Sequence, residues 1–456
     1  MSAVGAPARR RRPIHPAWIV AAVAFLTLVG AAGFRAAPSV LMVPLEEEFG
    51  WSRGVLSLAV SINLVLFGLT APFAAALMER FGIRRVTSLA LLVIGAGSAL
   101  TVLVRDPWQI LLTWGVLIGL GTGSIALVFA ATVASTWFVR RRGLVVGILT
   151  AGSAAGQLVF LPVMAALVES ANWRVASLVV AAGAFAVIPL VLVWLHDAPA
   201  DVGARPYGEQ PGVPASAPAP VAPVAPVAPT NAAVRALRAL RAASHHRTFW
   251  ALAAGFAICG ATTNGLIGTH FIPSAHDHGM ATTTAAGLLA VVGVFDIVGT
   301  IASGWLTDRF DPKVLLAAYY LFRGVSLFVL PALLAATVQP PMVIFIVIYG
   351  LDWVATVPPT VALCRSAFGA DGALVFGWVF AAHQFGAAAA AVGAGLIRDA
   401  TGEYTIAWFG AAALCAVAAL LTFLVRRDAE RDPVAEAQVN GVLPTPAGEA
   451  PATRAS

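Results

Sequence analysis

Charged residues are scarce in this sequence. Asp, Glu, Lys and Arg make up 11% of its 456 residues and hydrophobic residues 59%, whereas a typical soluble domain is about 25% charged. This composition excludes an ordinary soluble globular protein. Apolar runs of about 20 residues, the length that a helix needs to cross a hydrocarbon core of roughly 30 Å, recur along the whole chain. The sequence therefore predicts a protein that crosses a membrane many times.

Motifs for covalent chemistry are also missing. The three cysteines, Cys259, Cys364 and Cys415, lie in or beside apolar runs and form no CxxC pair or metal-ligand spacing. We interpret them as small buried side chains. No GxxxxGK[ST] phosphate-binding motif is present, which argues against an ATP-driven pump. We predict no cofactor, no metal site and no enzymatic activity.

Twelve apolar segments are long enough to span a membrane. Within lipid a segment must satisfy its own backbone hydrogen bonds, which favours helices here, because barrel strands would be about 10 residues long with alternating polarity. The predicted fold class is an all-α membrane protein with twelve transmembrane helices. The predicted spans, numbered 1 to 12, are 17–45, 54–77, 86–104, 108–136, 143–168, 174–195, 248–272, 283–306, 313–337, 341–365, 373–397 and 404–425.

The net charge of +6 comes from basic residues in alternate connections. Most lie in the N-terminus, after even-numbered spans or just after span 12, so the positive-inside rule predicts that both termini are cytoplasmic. We read this as a topology signal and predict no nucleic-acid partner. The run Arg9 to Arg12 leads into a span too long for a signal peptide, so span 1 is expected to stay attached. We expect a monomer embedded in the lipid bilayer of the plasma (inner) membrane.

Hydropathy collapses in the middle of the chain and divides it into two halves. The linker contains the stretch "PGVPASAPAPVAPVAPVAPTN", which is typical of a semi-extended spacer. Its last part, "AVRALRALRAASHHR", has the pattern of a basic amphipathic helix on the anionic inner leaflet, or is topology-setting charge without a partner. The predicted organisation is a basic N-terminus (1–16), a six-helix bundle (17–196), a cytoplasmic linker (197–247), a second six-helix bundle (248–426) and a disordered tail (427–456).

A repeated turn supports the two halves. "ALMERFGIRR" follows span 2 and "GWLTDRFDPK" follows span 8, and each contains an acid, an arginine and a phenylalanine. Two related six-helix halves are the architecture of a rocking-bundle transporter. The turns resemble the GxxxDRxGRR signature of the major facilitator superfamily, with Glu79 and Ala75 in place of the first Asp and Gly.

This resemblance implies a role for the two turns. In the family the acids pair with nearby arginines and helix ends, and they latch the cytoplasmic side in the outward-facing state. The alternative, plain positive-inside charge, accounts for the arginines but not for the paired acids. The resemblance also implies that helices 1, 4, 7 and 10 line a central cavity. The corresponding latch residues here are Glu79, Arg80, Arg84, Asp308 and Arg309.

Two further motifs narrow the resemblance. "FGWSR" before span 2 and "RRGLVVGILTAGSAAG" at the start of span 5 are similar to the monocarboxylate and oxalate/formate porter branch. That branch has a cation in helix 1, which Arg35 matches, and an Asp followed four residues later by an Arg in helix 8, where Asp296 matches but Thr300 does not. Gly115 replaces an arginine that the family links to proton coupling. Span 5 also lacks the Gly-Pro-x-x-Gly-Gly ending of drug antiporters.

Charged side chains inside the spans are the main candidates for a functional site. Each costs about 2.5–3.5 kcal/mol near the bilayer centre on insertion scales, so each is a functional hypothesis. Arg35 in span 1 is expected to face the cavity, where its planar guanidinium can bind a substrate carboxylate through two hydrogen bonds. A structural pair with an acid such as Asp352, or snorkelling to the outer surface, remains open for this arginine.

Four more titratable or charged residues lie near the predicted midplane. Counting along each helix at about 1.5 Å per residue places Asp296, Arg323, Asp352 and His383 there. We predict that Arg323 pairs with Asp296, either as a structural ion pair or as a proton-linked switch. His383, with Gln384 beside it, is a candidate to hydrogen-bond the substrate or to titrate, and a packed histidine is the alternative. Asp352 is a further substrate-binding candidate.

Two amides complete the candidate site. Asn63 and Asn264 can bind substrate, or each can hydrogen-bond a neighbouring helix. The charges and latch motifs together favour a secondary transporter of a small organic anion, expected to be a carboxylate, coupled to protons or to anion exchange. Efflux of a hydrophobic or cationic compound, which Asp296 or Asp352 would meet, is the alternative within transport. A non-transporting sensor or scaffold is the alternative outside it, although the linker and tail contain no recognisable signalling module.

Overall fold

The computed structural model describes residues 15–125, 127–209 and 232–425. Within its helices a few side chains, including that of Arg35, are not described. The basic run at 9–12, the Pro- and Ala-rich stretch at 211–231 and the tail at 427–456 lie outside the described residues. Their expected roles stay predictions.

Helices dominate the chain, and no strand occurs among the described residues. The predicted all-α class is therefore confirmed. One helix, Ala232–Ser244, lies between the two predicted bundles and is called the linker helix. The others, numbered by their predicted spans, are α1 Pro16–Phe49, α2 Arg53–Phe81, α3 Ile83–Leu100, α4 Pro107–Trp137, α5 Arg142–Ser170, α6 Trp173–Trp194, α7 Arg247–Asp277, α8 Thr282–Thr307, α9 Pro312–Leu333, α10 Pro340–Phe368, α11 Gly372–Thr401 and α12 Thr405–Thr422.

Within the described ranges, eleven of these helices are long and apolar enough to cross a membrane. The described apolar part of α5, Leu158–Ser170, is shorter. The count of twelve spans and the orientation of the termini therefore stay predictions. Two helices contain π-helical stretches, Leu111–Ile118 in α4 and Ala261–Ile267 in α7. The helix α10 is broken at residues 353–356, which leaves backbone groups there free to bind side chains.

The turn between α1 and α2 follows from local sequence. Gly50 ends α1 with a φ of 67°, a left-handed conformation that glycine adopts without a steric cost. Ser52 then caps α2, because its Oγ accepts a hydrogen bond from the Val55 amide at 3.4 Å. This tight reversal brings the last turn of α1, with Glu46, next to Arg53 at the start of α2.

The two predicted bundles meet along α2 and α11. The Ser61 hydroxyl on α2 donates to the Ala388 carbonyl on α11 at 2.7 Å, and further along the rings of Phe67 and Phe380 lie 6.0 Å apart. Because α2 begins at Arg53 and carries Glu79 in its last turn, we call the two ends of the molecule the Arg53 end and the Glu79 end.

The linker helix packs against α2 and α11 at the Glu79 end. Its alanines Ala236, Ala239 and Ala243 are buried, and the Trp378 indole N–H on α11 donates to the Ala236 carbonyl at 2.8 Å. The amphipathic pattern thus forms a helix whose alanine face lies on the protein. Its contact with lipid stays a prediction.

Candidate functional site

Arg323 on α9 is an enclosed cation, with only 1% of its surface exposed. Its Nε donates to Asp352 Oδ2 at 2.6 Å, and its Nη2 donates to the Asp352 carbonyl at 2.7 Å. That carbonyl can accept this bond because Asp352 ends the first segment of α10, where the helix breaks. Both the side chain and the backbone of Asp352 therefore hold the guanidinium in place.

The rest of the Arg323 environment comes mainly from α7. Its Nη1 donates to Cys259 Sγ at 3.0 Å and contacts Thr262 Oγ1 at 3.5 Å. The Tyr349 hydroxyl donates to the Thr262 carbonyl at 2.6 Å, which fixes this stretch of α7 against α10. The Oδ1 atom of Asp352 has no hydrogen-bond partner among the described residues. The buried pair therefore leaves one acceptor unused.

The predicted pairing of Arg323 with Asp296 is wrong. Asp296 on α8 is 8% exposed, and its Oδ1 accepts hydrogen bonds from the Thr300 hydroxyl and the Val354 amide, each at 3.0 Å. Val354 lies in the break of α10, so its amide is available to a side chain. The break thus gives Arg323 an acid on α10 and gives Asp296 neutral donors.

Asp352 forms its ion pair with Arg323. The alternative considered from the sequence, in which Arg35 pairs with Asp352, is therefore not needed to neutralise this carboxylate. Arg35 lies within α1, and its side chain is outside the described residues. Its role in binding substrate stays a prediction.

His383 and Gln384 are both buried on α11. The His383 ring stacks on Phe380, with centroids 5.8 Å apart and planes at 7°, and contacts Phe256 on α7 at 4.8 Å. The Oε1 atom of Gln384 has no hydrogen-bond partner among the described residues. Gln384 lies against Gly68 on α2, where the two bundles meet. Gln384 thus places an unused acceptor at the bundle interface.

The two amide candidates differ in their surroundings. Asn63 on α2 donates through Nδ2 to the Trp114 carbonyl on α4 at 2.8 Å, which is the interhelical bond considered from sequence. Asn264 lies in the π-helical stretch of α7 and is half-buried. Only its backbone carbonyl accepts a described hydrogen bond, from the Thr269 hydroxyl at 3.0 Å.

Among the described residues, the latch candidates at the Glu79 end form no ion pair with each other. Glu79 lies 3.6 Å from Arg235 of the linker helix, and both side chains are exposed. Within the described ranges Asp308 forms no ion pair. Arg309 lies over the Trp305 ring, 4.0 Å from its centroid.

Two arginines of the same turn make local contacts. Arg80 lies over the ring of Phe81, 5.2 Å from its centroid. The Arg84 amide donates to Asp197 Oδ1 at 2.9 Å, and its guanidinium donates to the Leu192 carbonyl. These contacts join α3 to the end of α6 within one predicted bundle, so they do not hold the two bundles together.

The Arg53 end contains an ion network that the sequence did not predict. Arg53 is 3% exposed. Its Nη2 and Nη1 donate to Asp277 Oδ1 and Oδ2 on α7 at 2.7 and 2.8 Å, and its Nε donates to Glu46 on α1 at 2.8 Å. Arg398 on α11 donates to the same Asp277 at 2.8 Å. One acid of the second bundle thus binds arginines from both bundles.

Two further contacts strengthen the Arg53 end. Asp399 on α11 accepts the backbone amides of Arg53 and Gly54 at 3.1 and 2.8 Å, so a carboxylate of one bundle caps the positive N-terminus of α2 in the other. The Glu169 carboxylate at the end of α5 likewise accepts the Thr283 amide of α8 at 2.8 Å. At this end the bundles are therefore joined both between α2 and α11 and between α5 and α8.

A hydrogen-bond chain continues from Arg53 into the protein. Its Nη1 also donates to the Tyr404 hydroxyl at 3.1 Å. That hydroxyl lies 3.1 Å from His270 Nδ1, and His270 Nε2 lies 2.8 Å from the Ala391 carbonyl on α11. We call Arg53, Glu46, Asp277, Arg398, Asp399, Tyr404 and His270 the Arg53 network.

A sequence signal for this network exists, although it is weak. Arg53 and Arg398 lie next to the ends of predicted spans and Asp277 lies in the connection after span 7, so all three fall at the same end of the molecule in a twelve-span topology. Charges at span ends are ordinarily solvated, so the sequence alone favours solvated surface charges over an ion network.

Comparisons with known proteins agree with this architecture. The family model described as the Major Facilitator Superfamily matches residues 23–373. The uncharacterized MFS-type transporter YcxA of Bacillus subtilis (strain 168) is 25% identical over 394 residues, which cover 85% of this chain and 90% of YcxA. Monocarboxylate transporter 11 of Homo sapiens is 26% identical over 406 residues, which cover 85% of this chain and 78% of that protein. A solved D-xylose-proton symporter superposes with a TM-score of 0.70 at 15% identity, over 91% of this chain and 98% of its own, a likeness of fold.

Proposed function

Since the chain belongs to the Major Facilitator Superfamily, we propose that it is a secondary transporter that moves a small organic anion by alternating access, with a carboxylate as its substrate class. The resemblance predicted from the sequence is confirmed, and the chain is a multi-pass membrane transporter rather than an enzyme. The observation that carries alternating access is the Arg53 network, which joins the two bundles through Arg53 and Asp277. At the opposite end Glu79 and Asp308 form no ion pair between bundles among the described residues.

Alternating access needs one end of the bundle to be held closed while the other is released. We assign the Arg53 end to the outer side and the Glu79 end to the cytoplasm, because basic residues dominate the connections at the Glu79 end. In the opposite conformation Glu79, Arg80, Arg84, Asp308 and Arg309 then form the cytoplasmic latch. Among the described residues Glu79 and Asp308 form no ion pair between the bundles, whereas the Arg53 end is joined, and both observations support the assignment.

An anionic substrate is favoured by the charges that remain available inside the bundle. The enclosed Arg323 is already bound by Asp352, which leaves Arg35 on α1 as the cation we assign to the substrate carboxylate. Gln384 and His383, both buried on α11, are the further polar groups that we assign to the substrate. The pairing of Asp352 also argues against efflux of a cationic compound through that acid. Relatives named as monocarboxylate transporters support the same substrate class.

Protons are the proposed coupling ion, with Asp296 as the proton site. Asp296 is held by a hydroxyl and an amide rather than by a cation. It can therefore take up a proton without leaving an arginine unpaired in the membrane, which a proton on Asp352 would do. We further propose that the transporter works as a monomer in the plasma (inner) membrane.

The test is uptake into proteoliposomes under an imposed pH gradient, with panels of monocarboxylates, dicarboxylates and cationic dyes. Arg35→Gln should abolish anion uptake, whereas Arg35→Lys should weaken binding by about 1–3 kcal/mol, because it keeps the charge but loses the planar fork. Arg105→Gln, at an exposed arginine in the connection after α3, is the matched control and should transport normally. Normal anion uptake by Arg35→Gln would overturn the assignment of Arg35 to the substrate carboxylate. Uptake of cationic dyes without anion uptake by the native chain would overturn the proposed substrate class.

A further inference from the structure

His270 on α7 is a fully buried titratable residue, with 0% exposure, that the proposed transport site does not use. It lies within the second predicted bundle, between the Ala391 carbonyl of α11 and Tyr404 at the start of α12. Through Tyr404 it is one hydrogen bond away from Arg53 of the first bundle. His270 is therefore placed to affect how the two bundles are joined.

The partners of His270 fix the direction of every hydrogen bond in the chain. A carbonyl only accepts, so Nε2 carries a proton and donates to Ala391 at 2.8 Å. The ordinary pKa of a tyrosine hydroxyl is about 10, so Tyr404 keeps its proton near neutral pH. Arg53 only donates, so the Tyr404 oxygen accepts from Arg53 at 3.1 Å and its proton points to Nδ1 at 3.1 Å. Neutral His270 completes the chain with every donor and acceptor used.

A second proton on His270 cannot be accommodated in this arrangement. Protonated Nδ1 would have to donate to the Tyr404 oxygen, and the hydroxyl proton would then lose its acceptor. The charged groups that face His270 through the network come from four helices and are already engaged. They are Glu46 of α1, Arg53 of α2, Asp277 of α7, and Arg398 and Asp399 of α11.

Each carboxylate in that set has a partner of its own. Glu46 binds the Arg53 Nε, Asp277 binds two arginines, and Asp399 binds two backbone amides. A proton that enters His270 therefore brings a positive charge next to the Arg53 contact without gaining a new acceptor among the described groups. The closed Arg53 end should favour neutral His270, and an open, hydrated end should favour the protonated form.

We propose that His270 is a positioning residue of the Arg53 network. When His270 is neutral, it orients Tyr404 so that Tyr404 holds Arg53 in the closed arrangement. When His270 takes up a proton from the outer side, it releases Tyr404 and favours opening of the Arg53 end. By linkage, acid outside then increases the population that is open to the outside. This inference rests on the proposed alternating access, but it does not depend on which substrate is carried.

The experiment measures opening of the Arg53 end directly, without substrate. Ser57 is fully buried on α2, near Gly395 of α11, close to the network, so Ser57→Cys is a conservative reporter. Its modification by a membrane-impermeant thiol reagent, added outside full-length protein in liposomes, is followed from pH 7.5 to 5.5. The three native cysteines are buried, and the chain without the reporter gives the background.

The key comparison is with His270→Gln in the same reporter background. A glutamine can donate to Ala391 and accept from Tyr404, so it imitates neutral histidine at every pH. The quantity compared is the rate of reporter modification with His270 divided by the rate with His270→Gln. The ionisation of the reporter thiol affects both rates equally and cancels in this ratio. We expect a ratio near 1 at pH 7.5 that rises at least about fivefold at pH 5.5, below the ordinary histidine pKa of about 6.5. A ratio that stays flat across this range would overturn the proposal.

Tyr404→Phe provides a second, independent comparison. It removes the hydroxyl that connects His270 to Arg53, so the reporter should be more accessible at all pH values, and the extra acid response should disappear. If the glutamine variant does not fold, this comparison alone decides: an acid response in Tyr404→Phe equal to that of the native chain contradicts the proposal. If the native chain shows the acid response of the reporter but no anion uptake in proteoliposomes, the proposed substrate class is refuted and the role of His270 stands.

Discussion

Arg53 at the start of α2 and Asp277 at the end of α7 form a bidentate ion pair, with N–O distances of 2.7 and 2.8 Å. The pair joins the two predicted bundles at one end. Because Arg53 is almost completely buried, its charge would be costly without this acid. Arg398 binds the same carboxylate, so removal of Asp277 would also leave two arginines from α2 and α11 near each other. The joined state should therefore be sensitive to this one side chain.

Asp277→Asn should favour opening of the Arg53 end by about 10–100-fold. The expected change corresponds to roughly 1.5–3 kcal/mol, the scale of a hydrogen bond to a charged group. Modification of the Ser57→Cys reporter at fixed pH measures it. Glu48→Gln is the control, because Glu48 and Arg174 form an exposed ion pair at the same end, and such pairs contribute about 0–1 kcal/mol. Equal reporter rates in both variants would contradict a role for Asp277 in closure.

Arg323→Met should destabilise the folded protein, because it leaves the buried Asp352 without its cation. Breaking a buried pair from one side costs about 3–5 kcal/mol, whereas replacing both partners with apolar residues is often neutral. The double variant Arg323→Met with Asp352→Leu should therefore recover most of the loss. Thermal unfolding in detergent, followed by tryptophan fluorescence, measures both effects. Arg105→Met, at an exposed arginine, is the control, and a single variant as stable as the control would refute a structural role for the pair.

The sequence predicted that Arg323 needs an acid but identified the wrong one. An intramembrane arginine must be paired, and Asp296 on the adjacent span was the nearest candidate by helical position. The deciding feature is the break of α10 at residues 353–356. It frees the Asp352 carbonyl for Arg323 and the Val354 amide for Asp296. Apolar periodicity carries no information about which backbone groups a break exposes.

The Arg53 network could not be predicted from the sequence for a different reason. Arg53 lies 224 residues from Asp277 and 346 from Asp399 along the chain. Span lengths place all three near one end of the molecule, but contact requires particular helix ends to meet with matching rotation. Apolar runs and the repeated turn predict the number and class of helices well, because these depend on local hydropathy. They do not determine the rotation of each helix about its own axis.

Gly386→Ala should destabilise the second bundle. A Cβ at Gly386 on α11 would overlap the Ala257 carbonyl on α7, and overpacking of this kind costs about 1–3 kcal/mol. Gly393→Ala on the same helix is the matched control, because no described atom lies within 4 Å of its Cβ position. Helix propensity should make that variant neutral or more stable by up to about 1 kcal/mol. Thermal midpoints that fall equally in both variants would refute close packing of α7 on α11.

Asp296→Asn should separate proton coupling from substrate movement. Its amide oxygen can still accept from Thr300 and Val354, so the local fold should survive, but the residue can no longer exchange a proton. Counterflow needs no net proton movement and should continue at close to the native rate, whereas accumulation driven by an imposed pH gradient should fall to background. Uptake in proteoliposomes, normalised to folded protein, measures both.

The control for this comparison is Asp371→Asn, the same substitution at an exposed acid at the start of α11. It should leave both counterflow and gradient-driven uptake unchanged. The variant Arg323→Met with Asp352→Leu adds a second test, because it removes the other buried acid while Asp296 remains. If that double variant folds and still accumulates substrate along a pH gradient, the proton site is Asp296 and the Arg323 pair is structural. Gradient-driven accumulation by Asp296→Asn itself would exclude Asp296 and direct attention to Asp352, whose unused Oδ1 is then the remaining acceptor for a proton.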